Sequence, residues 1–346
     1  MERIAMAQVD MAAPEALDDA VACHTLAEGQ PPLFIVAREG AFAGADEAVA
    51  WVALHRAALD RLIERHGGVV LRGFPIAMSE DFGAVSGCFP QFTGGYQGGA
   101  AARRPIAKGV YEATQRTGDQ AIPIHQEMFY LRDYPPRLAF FARKVAEQGG
   151  ETLIADMRAI TAALPSAIRE QLEAHGIRNV RNFAAKSGSS EENRLMDKRG
   201  WDFAFYTDSP EEVEAICARR HMRPHWHEDG SLTVFNQEAA FVTHPSTGER
   251  VYRSGLHIAH FYRGSYDKTG AAAELRASQT FPSGAFLGDG SELDPAADAE
   301  LCALADRFTY QWPWHNGDVM ILDNLLTGHG RNPFEGTRAT EVALLD

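Results

Sequence analysis

Two tripeptides place a histidine two residues before an acid, His125-Gln126-Glu127 and His227-Glu228-Asp229. An imidazole and a carboxylate at that spacing can share one cation when the chain is extended, because residues i and i+2 of a strand project to the same face. On a helix they would point about 200° apart. With 13 His and 47 Asp plus Glu in 346 residues, composition alone yields such a tripeptide about twice, so context has to separate the two. His227 stands in HWHEDGSL, where Glu-Asp-Gly reads as a surface turn between polar flanks. His125 follows the alternating Ile122 and Ile124 and precedes Phe129, which predicts a half-buried strand over 122–130. A core histidine or a bare salt bridge fits that strand as well as a metal ligand does, until residues farther along are considered.

Those residues are 317–338, GDVMILDNLLTGHGRNPFEGTR. The pattern predicts an apolar strand entering a glycine-rich turn that presents His329, with Arg338 opening the next strand. Two histidines and one carboxylate on neighbouring strands form the facial triad of non-haem Fe(II) sites and leave three positions open. A 2-oxo acid can take two of them and O2 the third. Its far carboxylate then calls for a buried cation, which arginine supplies bidentately, and Thr152, in GGET, adds a hydroxyl. The same ligands suit Zn(II) in a hydrolase, although Thr152 and Arg338 have no natural use there, and they suit a non-catalytic metal-binding protein on the same fold. His257 and His260, three apart in GLHIAHF, read as hydrogen-bonded core histidines, since no third ligand accompanies them.

The elements that must position these residues are short. Helical spacing runs over 45–66 (Val49, Val52, Leu54, Ala58, Leu62) and stops at Gly67-Gly68. Strand patterns follow at 69–71, 138–143, 177–183, 232–235 and 338–345, with helices near 160–175, 210–220 and 296–305. Segments 308–314 and 318–322 flank Asn316-Gly317, a hairpin signal. The polar stretches 184–200 and 263–295 read as loops or lids, and 93–121 as a glycine-rich segment. Many short strands with helices around them predict a mainly β fold, a β-sandwich or jelly roll. Nothing marks a second domain, so 1–346 is expected to fold as one, with 1–60 as an N-terminal extension.

Composition narrows the partners. The net charge is −14, which argues against nucleic acid or an anionic membrane as the main partner. It also means that any bound anion must be met by a few local cations. There is no apolar run of transmembrane length, no secretory pattern at the N-terminus, no Walker A sequence and no GxSxG. The four cysteines form no CxxC, as expected of reduced thiols in a cytoplasmic protein.

Taken together, the motifs resemble the TauD/TfdA superfamily of Fe(II)/2-oxoglutarate oxygenases, and within it the syringomycin-type and clavaminate-synthase-like amino-acid oxygenases. The likeness is carried by IHQE followed by FY, PPRLAFFA, GGETLIADMRAI, HPSTGERV, the GDG at 288–290 and LDNLLTGHGRNPFEGTR, in that order over about residues 60–346. It implies a double-stranded β-helix, with His125, Glu127 and His329 on Fe(II) and Thr152 and Arg338 on 2-oxoglutarate. Arg331 is a second candidate for the far carboxylate. It further implies hydroxylation of an unactivated C–H, with desaturation or epoxidation as variants, of an amino acid or of an amino-acyl group tethered to a carrier protein. A glutamate at 127, where related halogenases keep a small residue and bind chloride, favours oxygen transfer. Substrate-facing candidates are Tyr111, Glu112, Arg103, Arg104, Asp289 and Ser254. The last stands in Tyr252-Arg253-Ser254-Gly255, where such sequences usually have an aromatic-Asn pair.

Overall fold

The structure, a computed structural model, describes residues 9–10, 17–94, 97, 105–107, 109–113, 118–186, 199–259 and 281–346. Residues 45–66 form two helices rather than one, Ala45–Leu54 and Arg56–His66. The chain turns between them at His55 (φ −93°, ψ 9°), whose Nδ1 donates to Trp51 O at 2.9 Å. In the second helix Ala58, Leu59, Leu62 and Ile63 are buried as one stripe. Gly67, left-handed at φ 73°, ends it. The break shifts the phase of the pattern, so Leu54, expected on the buried face, is 79% exposed.

These helices cross over between two parallel strands, Leu33–Ala37 and Gly68–Arg72. Both lie in a nine-stranded sheet in the order Val9–Asp10, Val21–Thr25, Leu33–Ala37, Gly68–Arg72, Val319–Asp323, Arg137–Lys144, Ala339–Leu345, Val110–Glu112, Pro105–Ala107. Strands from the first 60 residues therefore extend the main sheet. A four-stranded sheet, Thr309–Tyr310, Thr152–Asp156, Thr327–Arg331, Ile122–His125, shares one core with it through Ile154, Phe140, Met320 and Leu322. Two sheets closed over a common core make the jelly roll. A third sheet, Arg223–Trp226, Leu232–Glu238, Ile177–Phe183, Ser283–Leu287, sends Phe183, Leu232 and Val234 into that core beside Met128 and Tyr130.

Register sorts the large sheet into two faces. Phe34, Val70, Met320, Phe140, Val342 and Tyr111 pair across it in one row and point to the inner core. The adjacent row, Ile35, Leu71, Val319, Phe141, Glu341 and Glu112, lies on the opposite face, where the first four pack under the N-terminal helices.

Three sequence expectations are corrected. The strand predicted over 122–130 is Ile122–His125 and ends before Glu127. Asn316-Gly317 does turn (Gly317 φ 93°), but it joins strands of different sheets, because Thr309–Tyr310 pairs with Thr152–Asp156 while Val319–Asp323 enters the large sheet. The stretch 263–295 contains the strand Ser283–Leu287 and reaches the helix Pro295–Arg307; 263–280 and 187–198 lie outside the described residues. No helix among the described residues is long and apolar enough to cross a membrane.

The N-terminal unit is tied to the jelly roll by Arg72, which donates to both oxygens of the buried Asp318 at 3.1 and 2.6 Å. Asp318 also accepts the His315 N–H at 2.9 Å. Removing one partner of such a pair strands the other charge. We expect Asp318→Ala to lower unfolding stability by about 3 kcal/mol, measured by urea denaturation; a loss within experimental error would show that the pair does not secure the unit.

Candidate functional site

His329 lies on Thr327–Arg331, directly opposite His125 on one side and Ile154 on the other. Glu127 sits in the turn just beyond the strand Ile122–His125. One ligand atom from each of His125, Glu127 and His329 falls within 4.8 Å of the others; His329 Nε2 is 3.7 Å from Glu127 Oε2. His125 Nδ1 is 2.9 Å from Pro123 O. A carbonyl only accepts, so Nδ1 carries the hydrogen and Nε2 keeps its lone pair for a cation. His329 Nδ1 is buried with no hydrogen-bond partner among the described residues, and the ring of Phe140 packs against it, centroids 5.0 Å apart. Two nitrogens and a carboxylate oxygen, with Glu127 and His329 buried and His125 half-buried, fit a divalent transition metal.

Glu127 therefore reaches the histidines from a turn, and not by the i, i+2 alternation of a strand. Long-range bonds set that turn. Asn324 Oδ1 accepts the Glu127 N–H at 2.7 Å, and its Nδ2 donates to Glu127 O at 3.0 Å and Pro135 O at 2.8 Å. Gln126 Nε2 donates to Leu325 O at 2.9 Å. Arg253, buried over the Tyr134 ring, donates from Nη2 to Met128 O and Leu131 O at 2.8 and 2.9 Å. Met128 is held left-handed at φ 54°. Asp323 accepts the N–H groups of Leu325 and Leu326 and pairs with buried His244 at 2.9 Å. That hydrogen bond raises the His244 pKa.

His329 is likewise on a strand and not in a glycine-rich turn. Its flanking glycines permit close approach: a Cβ on Gly330 would lie 2.7 Å from Ile122 O, and one on Gly328 would lie 2.8 Å from Ile124 Cγ2. His257 Nε2 donates to Ile124 O at 2.9 Å and braces the same strand; burial lowers its pKa. His260 lies outside the described residues.

Two residues along from the histidine row, Thr152 stands opposite Arg331, hence on the same face as His329 and Ile154. Arg338 reaches over from the start of the last strand, donating from Nη2 to Thr152 Oγ1 at 3.1 Å and from Nε to Gly150 O at 2.8 Å. Both guanidiniums lie over the Phe334 ring, at 4.9 Å for Arg331 and 5.9 Å for Arg338. Burial, then the neighbouring Arg331, push the Arg338 pKa down to about 10, against the pull of Glu151. The buried Arg331 and half-buried Arg338, side by side beside the His/Glu cluster, suit one carboxylate of a dianion whose other end lies toward that cluster.

The other sequence candidates scatter. Tyr111 lies in the inner row and Glu112 on the helix-covered face. Ser254 is buried, its Oγ accepting the Leu256 N–H at 3.1 Å. Asp289 occupies an exposed turn beside Ser291 and His175. Arg103 and Arg104 lie outside the described residues. Asn324, Arg253 and the Asp323–His244 pair were not singled out in the sequence, although the Asp-Asn dipeptide just upstream of His329 was visible. If Asn324 holds Glu127 in place, Asn324→Ala should weaken Mn(II) binding about tenfold or more in isothermal titration while the circular dichroism spectrum is retained. Wild-type affinity in that variant would remove the clamp from the metal centre.

The family described as taurine catabolism dioxygenase TauD, TfdA family matches residues 38–344. The dapdiamide synthesis protein DdaC of Enterobacter agglomerans is 29% identical over 83% of this chain and 84% of its own length. A clavaminate synthase-like protein of Arabidopsis thaliana is 30% identical over 83% of each. Among solved structures, AAD-2 in complex with Mn(II) and N-oxalylglycine superposes with a TM-score of 0.53 at 15% identity, covering 94% of this chain and 96% of that one. PvcB from Pseudomonas aeruginosa does so with 0.52 at 17%, covering 97% and 94%. At these identities the structures speak for the fold, and the sequence match speaks for descent. The chain thus belongs to the TauD, TfdA dioxygenase family, and its chemistry is that of an Fe(II)- and 2-oxoglutarate-dependent dioxygenase.

Proposed function

We propose that the enzyme hydroxylates an unactivated C–H of an amino acid, free or carried as an amino-acyl group on a carrier protein, in a biosynthetic pathway. The observation that supports this reading best is the cluster of half-buried His125 with buried Glu127 and His329, set one strand row from Thr152, Arg331 and Arg338. Fe(II) with 2-oxoglutarate and O2 supplies oxidative decarboxylation to succinate and CO2, coupled to substrate oxidation. The chain's own part is placement. His125 and His329 offer neutral nitrogens, and Glu127 fills the position that a halide would need, which favours oxygen transfer. Thr152 and Arg338 take the far carboxylate of 2-oxoglutarate, with Arg331 adding charge beside them. Phe140, Met320 and Val70 keep water from the inner face. A zinc hydrolase would leave both arginines without an anion to meet.

The amino-acid reading draws on relatives named for dapdiamide synthesis and for likeness to clavaminate synthase. Desaturation or epoxidation of a small amino-acid-derived substrate would use the same residues. Mixed anaerobically with Fe(II) and 2-oxoglutarate, the folded protein should show the weak visible metal-to-ligand charge-transfer band; its absence would defeat the cofactor assignment of these residues. Glu127→Ala should abolish substrate-coupled succinate release, and full turnover in that variant would remove Glu127 from the ligand set.

A further inference from the structure

Arg181, central in the strand Ile177–Phe183, is a buried cation with no carboxylate partner among the described residues. It is 6% exposed, stacks between the rings of Tyr130 at 4.6 Å and Phe183 at 4.8 Å, and its Nη1 has no hydrogen-bond partner among the described residues. The other buried arginines differ: Arg220, Arg253 and Arg331 each donate to a backbone carbonyl. The titratable groups facing Arg181 are the Tyr130 phenol and the Cys217 thiol, neither of them a carboxylate. Burial pushes the Cys217 thiol up to about 12, so it stays neutral, and burial depresses the Arg181 pKa as well.

A second unpartnered polar atom lies on the same face. Asn179, two residues earlier and 3% exposed, has a side-chain oxygen with no hydrogen bond among the described residues. Asn236, directly across from Asn179, donates from Nδ2 to Tyr130 O at 2.5 Å. Tyr130 stands three residues beyond Glu127 in the turn that carries the metal ligand. This polar face is thus docked on the outgoing end of that turn, inside the apolar cluster that also holds Met128, Phe140 and Ile154.

We propose that Arg181 binds the free carboxylate of the amino-acid substrate, with the Asn179 carboxamide beside it accepting from the ammonium. This rests on the amino-acid reading above and sharpens it. A guanidinium and a carbonyl oxygen two residues apart on one strand face complement a zwitterion, whereas an amino-acyl thioester offers this site no carboxylate charge. The site therefore selects the free acid over the carrier-bound form. It is separate from Arg331 and Arg338, which serve the co-substrate.

Two measurements test it. A residue that secures the core loses stability when replaced, but a stranded cation does not, so Arg181→Met should melt no lower than wild type; a lower melting temperature makes Arg181 structural and overturns the proposal. Succinate release by the Fe(II)-loaded enzyme is then followed with free L-α-amino acids, their carboxamides and the matching pantetheine thioesters. Wild type should respond to a free acid with a KM at least tenfold below that for its amide. Arg181→Met should raise that KM at least tenfold with a smaller effect on kcat, and Arg181→Lys should recover part of the loss. Equal use of acid and amide, response to thioesters alone, response to no free acid, or an unchanged KM in Arg181→Met each overturns it. Failure of wild type to form the Fe(II)/2-oxoglutarate band is instead a failure of the underlying reading.

Discussion

The antiparallel pairing of Ile122–His125 with Thr327–Arg331 is the contact on which the site depends. It sets His125 opposite His329, with ring centroids 4.3 Å apart, and it is possible only because the residues flanking His329 carry no side chain. Gly328 and Gly330 let the neighbouring strand come close enough for the two imidazoles to converge. The other edge of Thr327–Arg331 is taken by Thr152–Asp156. One strand therefore supplies a metal-facing histidine and, two residues on, a cation facing Thr152. The span from the His125–His329 pair to Thr152 and Arg331 is thus set by the rise of a β-strand and does not depend on a flexible loop.

Glu127 is held by a different principle. It stands where the strand has ended, so its backbone is fixed by side chains from elsewhere. Asn324 satisfies both its N–H and its C=O, and Arg253 takes two carbonyls of the same turn. Asn324 belongs to the turn leading into the His329 strand, and Asp323 closes that turn from inside. The turn that carries Glu127 is therefore bonded directly to the turn that launches the His329 strand, which couples His125, Glu127 and His329 into one assembly.

Charge is distributed against the overall balance. The chain is acidic by 14 charges, yet its interior gathers the guanidiniums of Arg181, Arg253, Arg331 and Arg338. Arg253 is spent on backbone carbonyls. Burial, and then the neighbouring Arg331, depress the Arg338 pKa. Net charge thus describes the outer surface and not the interior, where guanidiniums are gathered.

Much of this was legible in the linear sequence. Apolar periodicity located Arg137–Lys144, Ile177–Phe183, Pro210–Arg219 and Ala339–Leu345, because burial on one or both faces imposes its own spacing whatever the partners. The motifs also named His125, Glu127, His329, Thr152 and Arg338, which the fold brings into one neighbourhood. Local signals failed where a distant partner decided the outcome. Leu54 left the buried face at a helix break. Asn316-Gly317 turned as its residues demand, but the strands it joins found partners in separate sheets. The strand predicted through Glu127 stopped at His125, because Asn324 and Arg253 offered that backbone better bonds than a ladder. Sequence alone determined which side chains were available for metal and anion chemistry; only the tertiary structure decided how they converge and which cation was left unpaired, because hydrogen-bond satisfaction and burial are properties of neighbours brought together from distant parts of the chain.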